Sequence, residues 1–161
     1  MPRHFLNFRR SSITKVNFRV GSLGNIKLIQ EDLKRLEQFS KFTFDEMAND
    51  WIRWSVLEWT LVKIIGRAID INHHLLAELA GKDYPPPKDY KESFLFLPRI
   101  NALPQDFINR IAESAGFRNK VIHEYNEIDK SMVFQTVGEA IEQYLLYCKY
   151  ILEFLDQEKG K

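Results

Sequence analysis

Apolar residues recur at steps of three and four along three stretches of the chain, a spacing that places them on one face of an α-helix. The first stretch runs from Asn25 to Phe39, and the second, from about Asp50 to Ala80, carries an additional apolar flank. The last is the most regular, with apolar positions Phe134, Val137, Ile141, Tyr144, Cys148, Ile151 and Leu155. Because the middle helix is apolar on more than one face, other parts of the protein must pack against it from more than one side. A second copy of the chain is one candidate.

Prolines and glycines separate these helices. Gly81 suits the C-terminal end of the second helix, and the three prolines of GKDYPPPKDY prevent that helix from continuing. A short apolar segment, ESFLFLPRI, follows, and Pro104 fits the first position of a further helix that extends to Ile122. Strand signals are nearly absent. The pattern predicts an all-α fold, an antiparallel helical bundle of four long helices plus a short one.

The first 24 residues show no sustained period. Residues 1–30 carry six Arg or Lys and no Asp or Glu. We therefore predict a flexible basic N-terminal extension at residues 1–24, a helical-bundle domain at residues 25–157 and a C-terminal tail at residues 158–161. Three interpretations of the extension stay open: a contact to nucleic-acid phosphates, an organellar transit peptide, and a disordered leader.

Composition narrows the class of protein. A chain of 161 residues fits one domain, and 45% hydrophobic residues suffice for a packed core, which excludes global disorder. The formal net charge of +1 requires any nucleic-acid footprint to be local. The single cysteine, Cys148, excludes an intrachain disulfide, and no apolar run approaches the roughly 18 residues of a membrane span. These features indicate a soluble, cytoplasmic protein with no membrane segment.

The segment AGFRNKVIHEYNEID gathers Arg118, Asn119, His123 and Tyr125 within a short distance. On a helix, Asn119 and His123 share a face, whereas Arg118 lies about 140° from His123 and Tyr125 about 160° from it the other way. Arg118 can meet the imidazole only if its long side chain reaches round the helix or if a second subunit supplies it. Two copies related by a two-fold axis would form a fuller site than one.

These residue types suit the cleavage of RNA, which carries its own nucleophile in the 2′-OH. Histidine can take up or donate a proton near neutral pH, and arginine can stabilise negative charge on phosphate oxygens. A homodimer with two Arg/His pairs could therefore cleave RNA without a metal. The alternative is that Arg118 and His123 form a structural polar pair that caps a buried helix.

The spacing Arg118-x4-His123-x-Tyr125, in the setting GFRNKVIHEY, resembles the signature of the HEPN superfamily, in particular its HepT-like toxin branch. The segment AIDINHHLLAEL is similar to a helix of that branch and matches it at Asp70 and His74. The proline-rich loop and the Asp-Tyr pair before the short helix also match. The resemblance covers roughly residues 26–156.

The resemblance implies an all-α homodimer whose two motifs meet in a cleft and act as a metal-independent ribonuclease with no cofactor. It also implies a cognate MntA-like nucleotidyltransferase antitoxin, which silences the toxin by transferring AMP to the motif tyrosine. Carried over, Arg118 and His123 are catalytic, Asn119 positions the RNA substrate, and Tyr125 is the site of modification. The rival hypothesis is a catalytically silent HEPN module that binds a nucleotidyltransferase and presents substrate to it.

Two further groups of side chains have alternative interpretations. Asp70, His74 and Glu78 share one helix face, where Asp70 and His74 could line the cleft or the three could bind a metal. Because one face of one helix rarely completes a metal site, we expect no metal. The tryptophans of the second helix could stack on bases, but helical aromatic residues more often form core or dimer contacts (Trp51, Trp54 and Trp59).

Overall fold

The computed structural model describes the backbone of residues 3–124 and 126–161 and the side chains of residues 19–124 and 126–161. Within this range the regular structure is helical, and the predicted all-α class is confirmed. The helices are α1 (Arg3–Glu37), α2 (Phe44–Ala48), α3 (Trp51–Leu79), α4 (Tyr90–Leu95), α5 (Gln105–Ile111), α6 (Glu113–His123) and α7 (Lys130–Lys159). Two 3₁₀ turns, Gln38–Lys41 and Leu97–Ile100, follow α1 and α4.

Local side-chain chemistry fixes the ends of several helices. Asp50, Asp89 and Asp129 precede α3, α4 and α7, and each carboxylate accepts a hydrogen bond from a backbone N–H of the first helical turn. Such N-caps satisfy donors that have no partner within the helix. At the other end of α3, Gly81 adopts a left-handed conformation with φ of 84°, as its position after the helix predicted.

The long helices α1 and α3 run antiparallel. Lys63 of α3 contacts Asp32 of α1, whereas Arg67, one turn later in α3, donates to the Leu28 carbonyl, one turn earlier in α1. Helix α7 packs against α1, and α6 and α4 pack against α3. No helix in the described part of the chain is both long and apolar enough to span a membrane.

The core contains two tyrosines whose hydroxyl groups have polar partners. The Tyr147 hydroxyl donates to Asn72 Oδ1 at 2.7 Å and approaches the Ala68 carbonyl at 3.2 Å. The Tyr144 hydroxyl lies 2.7 Å from Ser114 Oγ. Both hydroxyl groups thus have the partners that buried polar groups require, and the seam of regularly spaced apolar residues on α7 (Phe134 to Leu155) lies in or against the core.

Two boundaries differ from the sequence-based expectation. Helix α1 begins at Arg3 rather than Asn25, so the predicted start of the first helix was wrong. No proline lies between Arg3 and Asn25, and the glycines of that stretch weaken a helix without ending it. An ion pair of 3.3 Å between Arg19 and Asp156 also ties this part of α1 to α7. Whether residues 1–24 are flexible stays a prediction.

The later helices also show differences in detail. The predicted fourth long helix is divided at Ala112 into α5 and α6, and Pro104 caps α5 instead of occupying its first turn. Helix α7 continues to Lys159, so the predicted C-terminal tail begins inside a helix. The bundle therefore has three long helices, with α5 and α6 together in the place of the fourth, within the residues described.

Candidate active site

Arg118 lies where α6 packs against α3 and α4. Its guanidinium carbon is 4.7 Å from the centre of the Tyr90 ring, a cation–π contact. On the other side Nε lies above Gly66 of α3, where an added Cβ would be 3.7 Å away. The α3 backbone therefore comes close to the arginine at Gly66. Gly66 and Tyr90 together fix the position of the Arg118 guanidinium.

The charge of Arg118 is not neutralised within the described part of the chain. No described carboxylate forms an ion pair with it, and its Nε is buried without a hydrogen-bond partner. An unpaired buried donor costs about 1–3 kcal/mol, so such a group commonly serves a ligand or a function. A guanidinium in this state is suited to bind a phosphate group.

A basic cluster on α1 and α3 adds positive charge beside Gly66. The fully buried carboxylate of Asp32 accepts hydrogen bonds from Arg35 at 2.6 Å, from Lys63 at 3.4 Å and from Arg67. Burial raises the pKa of Asp32, but its hydrogen bonds to Arg35 and Arg67 and the nearby positive charges outweigh burial and hold the pKa below its ordinary value. Three cations therefore surround one carboxylate, and the surplus charge attracts anions.

Asn119 and His123 lie on the outer surface of α6, and both are exposed. His123 is the last residue of that helix. It is about 7.5 Å along the axis and about 140° round it from Arg118. No hydrogen bond joins Arg118 to His123 in the residues that the structure describes. One chain thus holds the two predicted catalytic residues on one short helix without directing them at each other. Tyr125, the predicted modification site, lies outside the described residues.

The residues expected to line the cleft are on α3, close to Gly66. Asp70 and His74 are both exposed, and their role as cleft lining stays a prediction. The neighbouring His73 is exposed, and its ring centre lies 6.5 Å from that of Tyr90. His73 therefore joins the surroundings of Arg118 through Tyr90. The Asp-Tyr pair before the short helix was the sequence signal for Tyr90, but nothing in the sequence joined it to His73.

Side chains that could bind a metal are dispersed in the described ranges. No three His, Cys, Asp or Glu side chains there lie close enough together to hold a metal ion. The chemical groups gathered at this site are the Arg118 guanidinium, the phenol ring of Tyr90 and, next to that ring, the imidazole of His73.

Comparisons with known proteins show the family. The model of the HepT-like ribonuclease family matches residues 29–151. A tRNA nuclease HepT of Aphanizomenon flos-aquae (strain 2012/KM1/D3) is 34% identical over 131 residues, which cover 81% of this chain and 86% of that protein.

Solved structures of toxin–antitoxin complexes share the fold. A chain of a toxin–antitoxin with AMP-PNP aligns with a TM-score of 0.70 at 20% identity and covers 81% of this chain and 97% of its own. The tri-AMPylated HEPN toxin of Shewanella oneidensis, in complex with an MNT antitoxin, has a TM-score of 0.56 at 21% identity and covers 92% and 98%. Since the family model matches most of the chain and the relative from Aphanizomenon flos-aquae exceeds 30% identity, the chain belongs to the HepT-like ribonuclease family.

Proposed function

We propose that this protein is an endoribonuclease toxin that cleaves RNA without a metal, with Arg118 and His123 as its catalytic residues. The observation that carries the proposal is the Arg118 guanidinium, which Gly66 and Tyr90 hold in place without a described acidic partner. An arginine fixed in this way can stabilise charge on a reacting phosphate without reorganising. Similarity to a tRNA nuclease makes tRNA the first substrate to test.

The reaction is a transesterification within the RNA. The 2′-oxygen attacks the adjacent phosphorus. A bond between the 2′-oxygen and phosphorus forms, and the bond between phosphorus and the 5′-oxygen breaks. His123 accepts the 2′-OH proton or donates a proton to the leaving 5′-oxygen, and Arg118 stabilises the charged phosphorane. The products are a 2′,3′-cyclic phosphate and a 5′-OH end. The exposed amide of Asn119, on the same face as His123, is placed to position the RNA.

A second copy of the chain completes the site in this proposal. Helix α3 exposes an apolar stripe in its first half, formed by Trp51, Ile52, Val56 and Trp59, which are 76%, 58%, 48% and 62% exposed. Trp59 lies two helical turns before Gly66, about 10 Å along the same helix. Two copies that pair through the stripe would be in contact next to Arg118. The Arg118 of one copy would then be within reach of the His123 of the other copy.

The dimer can be tested by light scattering. We expect a mass twice the 19.1 kDa of the chain. Trp59→Glu should yield monomers with reduced nuclease activity, because it places a charge in the apolar interface. A wild-type protein that remains monomeric at micromolar concentration would contradict the composite site.

Tyr125 is the proposed site of inhibition by an MntA-like nucleotidyltransferase. The tyrosine oxygen attacks the α-phosphorus of ATP, a phosphodiester to AMP forms, and pyrophosphate leaves as the phenol proton is released. An AMP group two residues from His123 would add negative charge where the RNA phosphate must bind. The AMPylated HEPN toxin of Shewanella oneidensis supports this form of control. With the nucleotidyltransferase and ATP, the intact mass should rise by whole AMP units, and Tyr125→Phe should prevent the first addition.

The decisive experiment is RNA cleavage by the purified protein in excess EDTA. Wild type should cleave and leave 2′,3′-cyclic phosphates, whereas Arg118→Ala and His123→Ala should lose at least about 10²-fold in rate. Arg53→Ala, which removes a charge near the start of α3, serves as the control. If an unmodified wild-type protein does not cleave, or if His123→Ala cleaves equally well, the catalytic assignment is wrong. The silent module that binds a nucleotidyltransferase would then be the better hypothesis.

A further inference from the structure

A cavity lies at the C-terminal end of α3, close to the proposed active site. This loop pocket has a volume of about 360 Å³ and is lined by His73 and Ala77 of α3, by Tyr84 of the proline-rich loop, and by Phe96 and Arg99 beyond α4. Its volume is within the roughly 300–1,000 Å³ of small-molecule sites. Three of these five side chains carry flat aromatic rings and one carries a flat cation.

Arg99 is held firmly at the edge of the loop pocket. Its guanidinium carbon lies 3.5 Å from the ring centre of Phe96 and 4.9 Å from that of Tyr84. Its Nη1 also donates to the Pro85 carbonyl at 3.3 Å. Among the described residues no carboxylate pairs with Arg99, so its charge is available to a ligand. Consecutive prolines restrict the loop that carries Tyr84, which keeps the pocket wall in place.

The loop pocket and the Arg118 site are joined through two aromatic rings. His73 lines the pocket, and its ring centre is 6.5 Å from that of Tyr90. Tyr90 also contacts Arg118, whose guanidinium carbon is 4.7 Å from the ring centre. His73 and Gly66 lie on one side of α3, about 10 Å apart along its axis. A strand of RNA with a phosphate on Arg118 would therefore pass the mouth of the pocket.

We propose that the loop pocket binds an unpaired nucleobase of the RNA substrate, from a nucleotide close to the cleaved phosphate. The proposal rests on the ribonuclease function above. Proteins recognise single-stranded RNA by stacking its bases on aromatic rings and guanidinium planes and by hydrogen bonds to the base edges. Tyr84, which is 52% exposed, and His73 supply the rings, and Arg99 supplies the donors. The pocket would then select where the RNA is cut.

Binding of RNA that cannot be cleaved tests the pocket separately from catalysis. The probe is a fluorescent single-stranded RNA that spans a cleaved site and lacks the 2′-OH at the reacting nucleotide. If wild type cleaves no RNA, an oligoadenylate of the same length replaces it. Loss of one stacked base weakens binding about 5- to 150-fold, so Tyr84→Ala should raise Kd by a factor in this range. Tyr84→Phe keeps the ring and should bind as wild type does.

Arg99→Ala should also weaken binding, and Arg53→Ala is its matched control. Arg53 likewise stacks on an aromatic ring, 4.3 Å from the centre of Phe42, but lies about 30 Å from His73 along α3. Both changes remove one positive charge. If Arg99→Ala binds RNA more weakly than Arg53→Ala, the difference comes from the position of Arg99 at the loop pocket and not from the lost charge alone. Thermal unfolding of each variant checks that the fold is retained.

Abasic nucleotides identify the base that enters the pocket. Removal of a single base should weaken binding to wild type at one position, and Tyr84→Ala should be insensitive to removal of that same base. If wild type cleaves RNA but Tyr84→Ala binds every probe as tightly as wild type does, the base pocket is wrong and the nuclease stands. If no abasic probe distinguishes the two proteins, the pocket is equally excluded. Failure of both cleavage and binding would overturn both proposals.

Discussion

Replacement of Asp32 by asparagine should lower the free energy of unfolding by about 3 kcal/mol, because it removes the carboxylate that pairs with Arg35 within α1 and with Lys63 and Arg67 on α3. The Asp32 side chain is completely buried, and breaking a buried ion pair costs about 3–5 kcal/mol. The low end applies here, since the side chains of Arg35, Lys63 and Arg67 are 63%, 30% and 23% exposed and can regain water.

Urea unfolding, followed by circular dichroism at one fixed protein concentration, measures the effect. With a slope of about 2 kcal/mol per molar, the midpoint of Asp32→Asn should fall by about 1.5 M. The control is Glu31→Gln, which removes the same charge from the adjacent position, where no described cation forms an ion pair. It should change the midpoint by less than about 0.3 M. Equal shifts for both variants would show that the Asp32 ion pairs do not hold the helices together.

The pH dependence gives an independent test. The pKa of Asp32 is lowered in the folded protein, so the ionised carboxylate stabilises the fold above its unfolded pKa. That contribution is lost as pH falls through the still lower pKa of the folded state. The difference between wild type and Asp32→Asn should therefore be constant from pH 7 to about pH 5 and shrink below about pH 4. A difference that persists unchanged in acid would refute an electrostatic origin.

Two further predictions concern single contacts. Tyr147→Phe should cost about 1–3 kcal/mol in urea unfolding, because it leaves the buried Asn72 amide oxygen without its donor. The hydroxyl of Tyr150 has no described partner, so Tyr150→Phe should leave the free energy of unfolding nearly unchanged. Similar losses of stability in the two variants would contradict the reasoning. Gly66→Ala should keep activity and raise stability by about 0.5–1 kcal/mol, since a Cβ 3.7 Å from Arg118 is in ordinary contact. Gly66→Leu should displace Arg118 and reduce cleavage about 10²-fold with the fold retained; full activity would exclude the position assigned to the guanidinium.

Features that depend on a few neighbouring residues were predictable from the sequence. The bounds of α3 follow from Asp50 before it and Gly81 after it, because capping groups act within one helical turn. The α7 seam follows from apolar spacing, which a helix converts directly into a buried face. The same reasoning from apolar spacing predicted the start of α1 at the wrong residue. Its early residues lack apolar periodicity, yet no residue there ends a helix.

The residues of the candidate site were predictable in type and spacing but not in arrangement. Arg118 and His123 stand out in the sequence, and helical geometry already indicated that they diverge. What surrounds Arg118 could not be foreseen, since Gly66 and Tyr90 are distant from it in the chain and nothing in the sequence joined either residue to it. The contact of His73 with Tyr90 also depends on how α4 lies against α3.

The sequence by itself determined a helical bundle, the bounds of α3 and the spacing of the proposed catalytic residues, because these depend on local chemistry and periodicity. Tertiary structure alone decided that Arg118 fits over a glycine, that one buried carboxylate gathers three cations, and that Arg99 is stacked beside a cavity. These contacts join helices or loops that are separated in the chain, apart from the local pairs Asp32–Arg35 and Phe96–Arg99. Which pairs meet depends on the packing of whole faces, and no short stretch of sequence encodes it.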